Sequence, residues 1–119
     1  MEAKDLMIGN LLSYEQTTHR VISINGKSIR SVWKGNQRID EYDDFVFHYK
    51  PIPLTEEWLL KFGFDNSLVK DIFLALDCNV IYDEGKYYFR RRGFQMVINH
   101  VHQLQNLYKA LTNEDLKIK

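Results

Sequence analysis

The sequence predicts an α+β fold: a small N-terminal bent sheet or SH3-like barrel, a short central helix, a β-hairpin or meander, and a C-terminal helix packed on the sheet. Short apolar runs recur between turn residues over the first fifty positions, a spacing typical of small barrels. Residues 51–64 and 101–116 carry helix start and stop signals. The 119 residues fit a single domain, 1–119, with a β-rich lobe at 1–50 and a helix–β–helix lobe at 51–119.

The N-terminal lobe is predicted from turn residues that punctuate apolar segments. Gly9-Asn10 lies between apolar residues and suits a sharp bend or a bulge. Asn25-Gly26 follows the apolar run at 21–24 and predicts a two-residue hairpin turn, because both residues tolerate positive φ. Residues 40–44 hold four acidic side chains and are predicted to form an exposed loop. The aromatic segment 45–49 is predicted to be the closing strand.

The first helix has both ends encoded in the sequence. Thr55 is the predicted N-cap, and Leu54 and Leu59 are placed to form a hydrophobic staple around it. Gly63 suits the left-handed C′ position that ends a helix. A helix of under two turns is marginal alone, so its apolar side chains must pack against other elements.

The middle of the chain leaves one alternative open. Residues 68–76 fit either a helix of about ten residues or a buried strand, because periodicity does not distinguish the two in a short apolar run. Residues 80–89 predict a hairpin with Gly85 in its turn, and residues 94–98 predict a further strand.

The last helix is predicted to begin near Asn99 and to end at Asn113 as the C′ residue. Its apolar stripe has helical spacing and comprises Val101, Leu104, Leu107, Tyr108 and Leu111. The tail at 116–118 is predicted to add an edge strand.

Composition excludes several classes of function. Sixteen basic residues balance sixteen acidic ones, so no global charge steers the protein towards nucleic acid or an anionic membrane. Cys78 is the only cysteine, which excludes an intramolecular disulfide and fits a reducing compartment. No signal peptide and no membrane-length apolar run is present. We therefore expect a cytoplasmic protein that does not bind membranes.

The segments PIPLTEEWLLKFGF (51–64) and VHQLQNLYKALTNEDL (101–116) carry a family resemblance. With the N-terminal segment DLMIGN (5–10), they resemble blocks of a family of small uncharacterised proteins common in bacterial genomes and their phages or mobile elements. The resemblance covers about a third of the chain, and Asn113 stands where the family usually has Gly. It implies no known activity, and it favours a strand at 68–76 because the region between the blocks is usually β-rich.

The sequence predicts no catalytic residue, no metal site and no cofactor. No Gly-rich phosphate loop, metal-ligand spacing or nucleophile motif is present. His100 and His102 are two positions apart and would diverge on a helix, so we do not expect them to share a metal. We therefore expect a protein that is not an enzyme.

Two basic groups define the possible nucleic-acid contacts. The three consecutive residues Arg90, Arg91 and Arg92 follow an aromatic run, a pattern that can bind single strands. Strand alternation sends Arg91 to the opposite face, however, and acidic neighbours such as Asp83 offer a structural explanation. The second group surrounds the first hairpin and comprises Lys27, Arg30, Lys34 and Arg38.

The last helix carries an amide-rich face made of His102, Gln103, Gln105 and Asn106. Such a face either bonds within the chain or forms a partner interface. We expect a non-enzymatic interaction module from a phage-like or mobile element, which binds an unknown protein partner or itself. The alternative is a nucleic-acid-binding accessory protein that uses residues 90–92 and the basic hairpin.

Overall fold

A computed structural model describes residues 1–34, 39–75 and 78–119. The chain divides into two compact units, Met1–Ile52 and Pro53–Lys119. In the described residues, each unit contains one four-stranded antiparallel sheet, and the second also contains two α-helices. The predicted α+β class is therefore confirmed.

The N-terminal unit is built on an antiparallel meander with strand order β1-β2-β3-β4. Its strands are β1 (Leu11–Tyr14), β2 (Thr17–Asn25), β3 (Ser28–Lys34) and β4 (Ile39–Phe45). The register shifts between Val21 and Ser23, which marks a bulge in β2. Among the described residues no strand pairing closes this sheet into a barrel, so the SH3-like barrel stays a prediction.

Two-residue loops join the first three strands. Glu15 and Gln16 both have positive φ between β1 and β2, which fits a type I′ turn. The loop between β2 and β3 is Gly26-Lys27 rather than the predicted Asn25-Gly26, because Asn25 pairs with Ser28. Only Gly26 needs positive φ there, as the first position of a type II′ turn does.

Two predictions for residues 40–49 are wrong. The acidic segment 40–44 is not a loop, because it lies in β4 and pairs with β3 over its whole length. Its alternate side chains project to solvent, which lets an acidic segment form a strand. Residues 45–49, predicted as a strand, contain a short 3-10 helix at Val46–His48.

The core of the N-terminal unit comes from alternate strand positions, as β1 shows by burying Leu12 and Tyr14. The buried apolar side chains are Leu6, Leu12, Tyr14, Val21, Ile29, Val46 and Tyr49.

The second unit contains the sheet β5-β6-β7-β8. Its elements are α1 (Glu56–Lys61), β5 (Ile72–Leu74), β6 (Asn79–Asp83), β7 (Lys86–Arg91), β8 (Phe94–Ile98) and α2 (Val101–Thr112). The described part of the 68–76 segment is a strand only at β5, so the strand alternative holds over three residues. The hairpin with Gly85 in its turn is confirmed, and Arg92-Gly93 forms a second two-residue turn.

The capping of α1 is as predicted. The Thr55 hydroxyl accepts a hydrogen bond from the Trp58 main-chain N–H, and Leu54 and Leu59 are both buried. Gly63 has φ +89°, and the N–H of Phe64 donates to the carbonyl of Leu59. The helix therefore ends in the left-handed turn and the main-chain hydrogen bond that the Schellman motif requires.

The start of α2 and the tail that follows it differ from prediction. The N-cap is His100 rather than Asn99, and Oε1 of Gln103 accepts from the main-chain N–H groups of both. Asn113 has φ +62°, as expected for the helix end. The tail at 116–118 forms no strand, although Leu116 is buried.

Candidate interaction surfaces

The amide-rich face of α2 divides into buried and exposed parts. His102 is 5% exposed and Gln105 9% exposed, Asn106 is half-buried, and Gln103 is exposed. Gln103 already accepts two hydrogen bonds in the helix cap. The buried positions 101, 102, 104 and 105 show that α2 is rotated relative to the predicted apolar stripe. A partner interface on this face stays a prediction, and Gln103 and Asn106 are its accessible members.

His100 and His102 are arranged differently from what the sequence predicts. His100 precedes the helix with extended backbone, so its ring stacks on that of His102 with centroids 5.8 Å apart. The expectation that the two rings diverge is therefore wrong, because only His102 is helical. Among the described residues no group of three or more His, Cys, Asp or Glu side chains could hold a metal ion.

The basic hairpin of the N-terminal unit faces an acidic strand. Arg30 lies opposite Asp43, and its Nη2 is 3.4 Å from that carboxylate. Lys27 is exposed in the turn, and Lys34 ends β3. Arg38 lies outside the described residues. Because β4 carries its acids beside β3, the hairpin offers little net positive charge to a phosphate backbone.

The arginine cluster (Arg90, Arg91 and Arg92) has different surroundings. Asp83, at the Glu84-Gly85 turn, pairs with Lys86, whereas Arg90 pairs with Asn79 at the other end of the same two strands. Asp83 and Glu84 therefore lie at the other end of these strands from the cluster, contrary to the expectation that they are its acidic neighbours. A cavity of about 370 Å³ lies at the cluster, and its lining residues are Leu74, Ala75, Cys78, Asn79, Arg90, Arg91, Arg92 and Gly93.

Strand β8 is a surface that the sequence reasoning missed. Among the strands of the described residues it pairs only with β7, which makes it an edge strand. Phe94, Met96 and Val97 are 42%, 52% and 39% exposed. Four of its five side chains are exposed. A signal was present in the sequence: residues 94–98 carry no charge and no proline, and the next predicted element is a helix rather than a strand.

A buried polar chain crosses the core of the N-terminal unit. His19 lies 2.9 Å from the Thr17 hydroxyl through Nε2 and 3.0 Å from the Ser31 hydroxyl through Nδ1. The Tyr49 hydroxyl lies 2.8 Å from that of Ser31. Burial lowers the pKa of His19 and raises the pKa of Tyr49. These hydrogen bonds link β2 and β3 to Tyr49 inside the N-terminal unit.

Asp44 accepts three hydrogen bonds at the rim of the same unit. Its carboxylate oxygens lie 2.7 Å from the Tyr14 hydroxyl, from Nδ1 of His48 and from the Phe45 main-chain nitrogen. The Tyr14 hydroxyl, followed by these other donors, lowers the pKa of Asp44, and the same bond raises the pKa of Tyr14. This cluster ties β1 and β4 to the 3-10 helix.

Comparisons with family models, with curated proteins and with solved structures give no match. In the described parts of the chain, no helix combines the length and the apolar character needed to cross a membrane.

Proposed function

We propose that the protein is a non-enzymatic interaction module of the cytoplasm that binds a protein partner or a second copy of itself. The resemblance of residues 51–64 and 101–116 supports an origin in a phage-like or mobile element. The observation that carries the proposal is the exposed apolar edge strand β8.

Exposed sheet edges bind other strands, because their main-chain N–H and C=O groups are already aligned for pairing. Natural monomers protect such edges with lysine, proline or a covering element. Residues 94–98 have none of the protecting residues, and Phe94, Met96 and Val97 add apolar surface beside the edge. An interface at β8 therefore satisfies both the main chain and the apolar side chains.

The test is affinity capture of the tagged protein from its native cell, with quantitative comparison of two variants. Met96→Lys places a charge on the edge strand, whereas Leu68→Lys changes a side chain that is 76% exposed elsewhere in the same unit. We expect Met96→Lys to lose a captured protein that wild type and Leu68→Lys retain. Identical capture by all three would contradict an interface at β8.

A second candidate function is nucleic-acid binding through the arginine cluster. Asp83 and Glu84 lie at the other end of the hairpin from this cluster, and this separation favours nucleic-acid binding. The test is binding to a mixed oligonucleotide pool over a range of salt concentrations, since phosphate contacts give a steep salt dependence. Substitution of the three arginines with Ala should abolish this binding, and Lys27→Ala with Arg30→Ala should leave it unchanged. Salt-independent binding would contradict this candidate.

For the N-terminal unit, we retain the bent sheet as the finer description of the fold. The bulge between Val21 and Ser23 supports it, because a bulge bends its strand and increases the local twist.

A further inference from the structure

We propose that the open edge of β8 accepts an extended peptide segment of another protein, which adds as an antiparallel fifth strand and carries acidic side chains at its C-terminal end. This inference rests on the proposed interaction function and names the partner's chemistry.

The register of the β7–β8 hairpin fixes which main-chain groups face the edge. Arg91 and Phe94 flank a two-residue loop and form a hydrogen-bonded pair. Bonded and non-bonded pairs alternate in an antiparallel ladder, so Phe94 and Met96 direct their N–H and C=O groups towards β7. Gln95 and Val97 direct theirs to the open edge. This edge therefore offers two donors and two acceptors to an added strand.

A hydrogen bond at Asn99, two residues after Val97, confirms this alternation of inward-facing and outward-facing residues. Asn99 is next in the outward-facing series, and its carbonyl accepts a hydrogen bond of 3.0 Å from the N–H of Leu54. His100 forms an antiparallel bridge with Pro53 at the same place. Thr55 then caps α1, so the chain leaves the edge before it reaches Val97. Among the described residues, no strand covers the edge at Gln95 and Val97.

The side chains beside the edge define the apolar positions of the peptide. Val97 ends a row of cross-strand neighbours that runs through Tyr88 and Ile81 to Ile72. Met96 lies on the opposite face, in the row of Phe89. A peptide residue opposite Val97 extends the first row, and the next residue packs against Met96 on the other face. Both positions favour apolar side chains.

The arginine cluster determines which end of the peptide carries acidic side chains. An antiparallel strand finishes where β8 begins, which is the end of the sheet that carries Arg90, Arg91 and Arg92. Acidic side chains at the C-terminal end of the peptide therefore meet the arginine cluster. A second copy that pairs through its own β8 does not supply them, because residues 90–100 contain no Asp or Glu. Antiparallel pairing of two copies about Met96 would instead bring Arg92 beside the copy's His100.

The experiment selects displayed random heptapeptides on the immobilised full-length chain. We expect enriched sequences to have adjacent apolar residues in the middle and Asp or Glu at the last two positions. The most enriched heptapeptide is then synthesised with a fluorescent label and titrated by anisotropy, together with a version whose acidic residues are moved to its N-terminal end. We expect the second version to bind at least fivefold more weakly.

Three variants test the geometry with the same labelled heptapeptide. Val97→Pro removes an outward-facing N–H without removing a bond to β7, and we expect about fivefold weaker binding. Arg90→Gln with Arg91→Gln keeps the main chain intact, and we expect about two- to fivefold weaker binding for each lost pair. Leu68→Lys is the control and should bind like wild type. Circular dichroism checks that each variant is folded.

The outcomes separate this inference from the proposed function. Selection without acidic enrichment, or no enrichment at all, overturns the inference. A dimer in light scattering that Met96→Lys dissociates also overturns it, since the edge is then covered by a second copy, while the interaction function stands. If the wild-type protein captures no partner and is also monomeric, both are overturned.

Discussion

The Nδ1 atom of His19 lies 3.0 Å from the hydroxyl oxygen of Ser31 inside the N-terminal unit. The direction of this bond follows from its neighbours. The Thr17 hydroxyl donates its proton to the carbonyl of Tyr14, so it accepts one from Nε2 of His19. The neutral imidazole then has Nδ1 free of hydrogen, and it accepts from Ser31, which accepts from Tyr49. A proton added to Nδ1 would make His19 the donor to Ser31, and the hydrogen bond between Ser31 and Tyr49 would have to reverse as well.

We predict that acid destabilises the protein through His19. Burial lowers the pKa of His19 from its ordinary value of 6.5, while the nearby Glu15 opposes the shift. The unfolded chain therefore binds the proton first, and stability falls as the pH drops below about 6.5, by at most about 1.4 kcal/mol per pH unit. Urea unfolding at a series of pH values measures this.

The variant His19→Gln tests the assignment. Its amide does not titrate, so the decline that begins below about pH 6.5 should disappear even though the variant is less stable. Asp44, whose pKa is lowered by Tyr14, His48 and Phe45, loses its contribution only at more acidic pH. A decline that persists near pH 6 in His19→Gln would assign the effect to another group.

Neighbouring leucines of α1 should differ sharply in their effect on stability. Leu59 is fully buried, whereas Leu60 is 46% exposed. We expect Leu59→Ala to lower the free energy of unfolding by about 2–5 kcal/mol, because the cavity adds to the lost transfer free energy. Leu60→Ala should change it by about 0.5 kcal/mol or less. Similar losses for both, measured by chemical denaturation, would show that α1 packs with a different face.

The turn between β1 and β2 leaves room for stabilisation. Glu15 and Gln16 adopt φ of +49° and +67°, which costs about 1–2 kcal/mol for each side chain-bearing residue. Glu15→Asn with Gln16→Gly supplies the preferred type I′ pair and should raise the free energy of unfolding by about 1–2 kcal/mol.

The hairpin between β6 and β7 is a matched control for that turn. It already contains Gly85, so Glu84→Asn should stabilise the protein by a smaller amount. If thermal unfolding shows equal stabilisation at both hairpins, the stabilisation does not come from removing the backbone strain at Gln16.

The contribution of the C-terminal end of α2 to stability should depend on how well residue 113 tolerates the left-handed conformation. Asn113 has φ +62°, and its N–H donates to the carbonyl of Lys109. We expect Asn113→Gly to change the unfolding free energy by no more than about 0.5 kcal/mol, and Asn113→Ala to lower it by about 1–2 kcal/mol. Thermal melting that ranks Ala equal to Asn would contradict this explanation.

The α+β class, the caps of α1 and the left-handed end of α2 were predictable from the sequence alone. Thr55, Gly63 and Asn113 act on main-chain groups within a few residues, so their signals are local. The hairpin at Gly85 is local for the same reason. These features need no knowledge of what packs against them.

Strand pairing and burial were decided by the tertiary structure. The acidic residues of β4 form a strand because β3 lies beside them, and His102 and Gln105 are buried because α2 is rotated from its apolar stripe. The edge position of β8 depends on which strands pair, and that depends on contacts between residues far apart in the chain. The sequence alone therefore determined the local caps and turns, and only the folded chain determined which surface is left open.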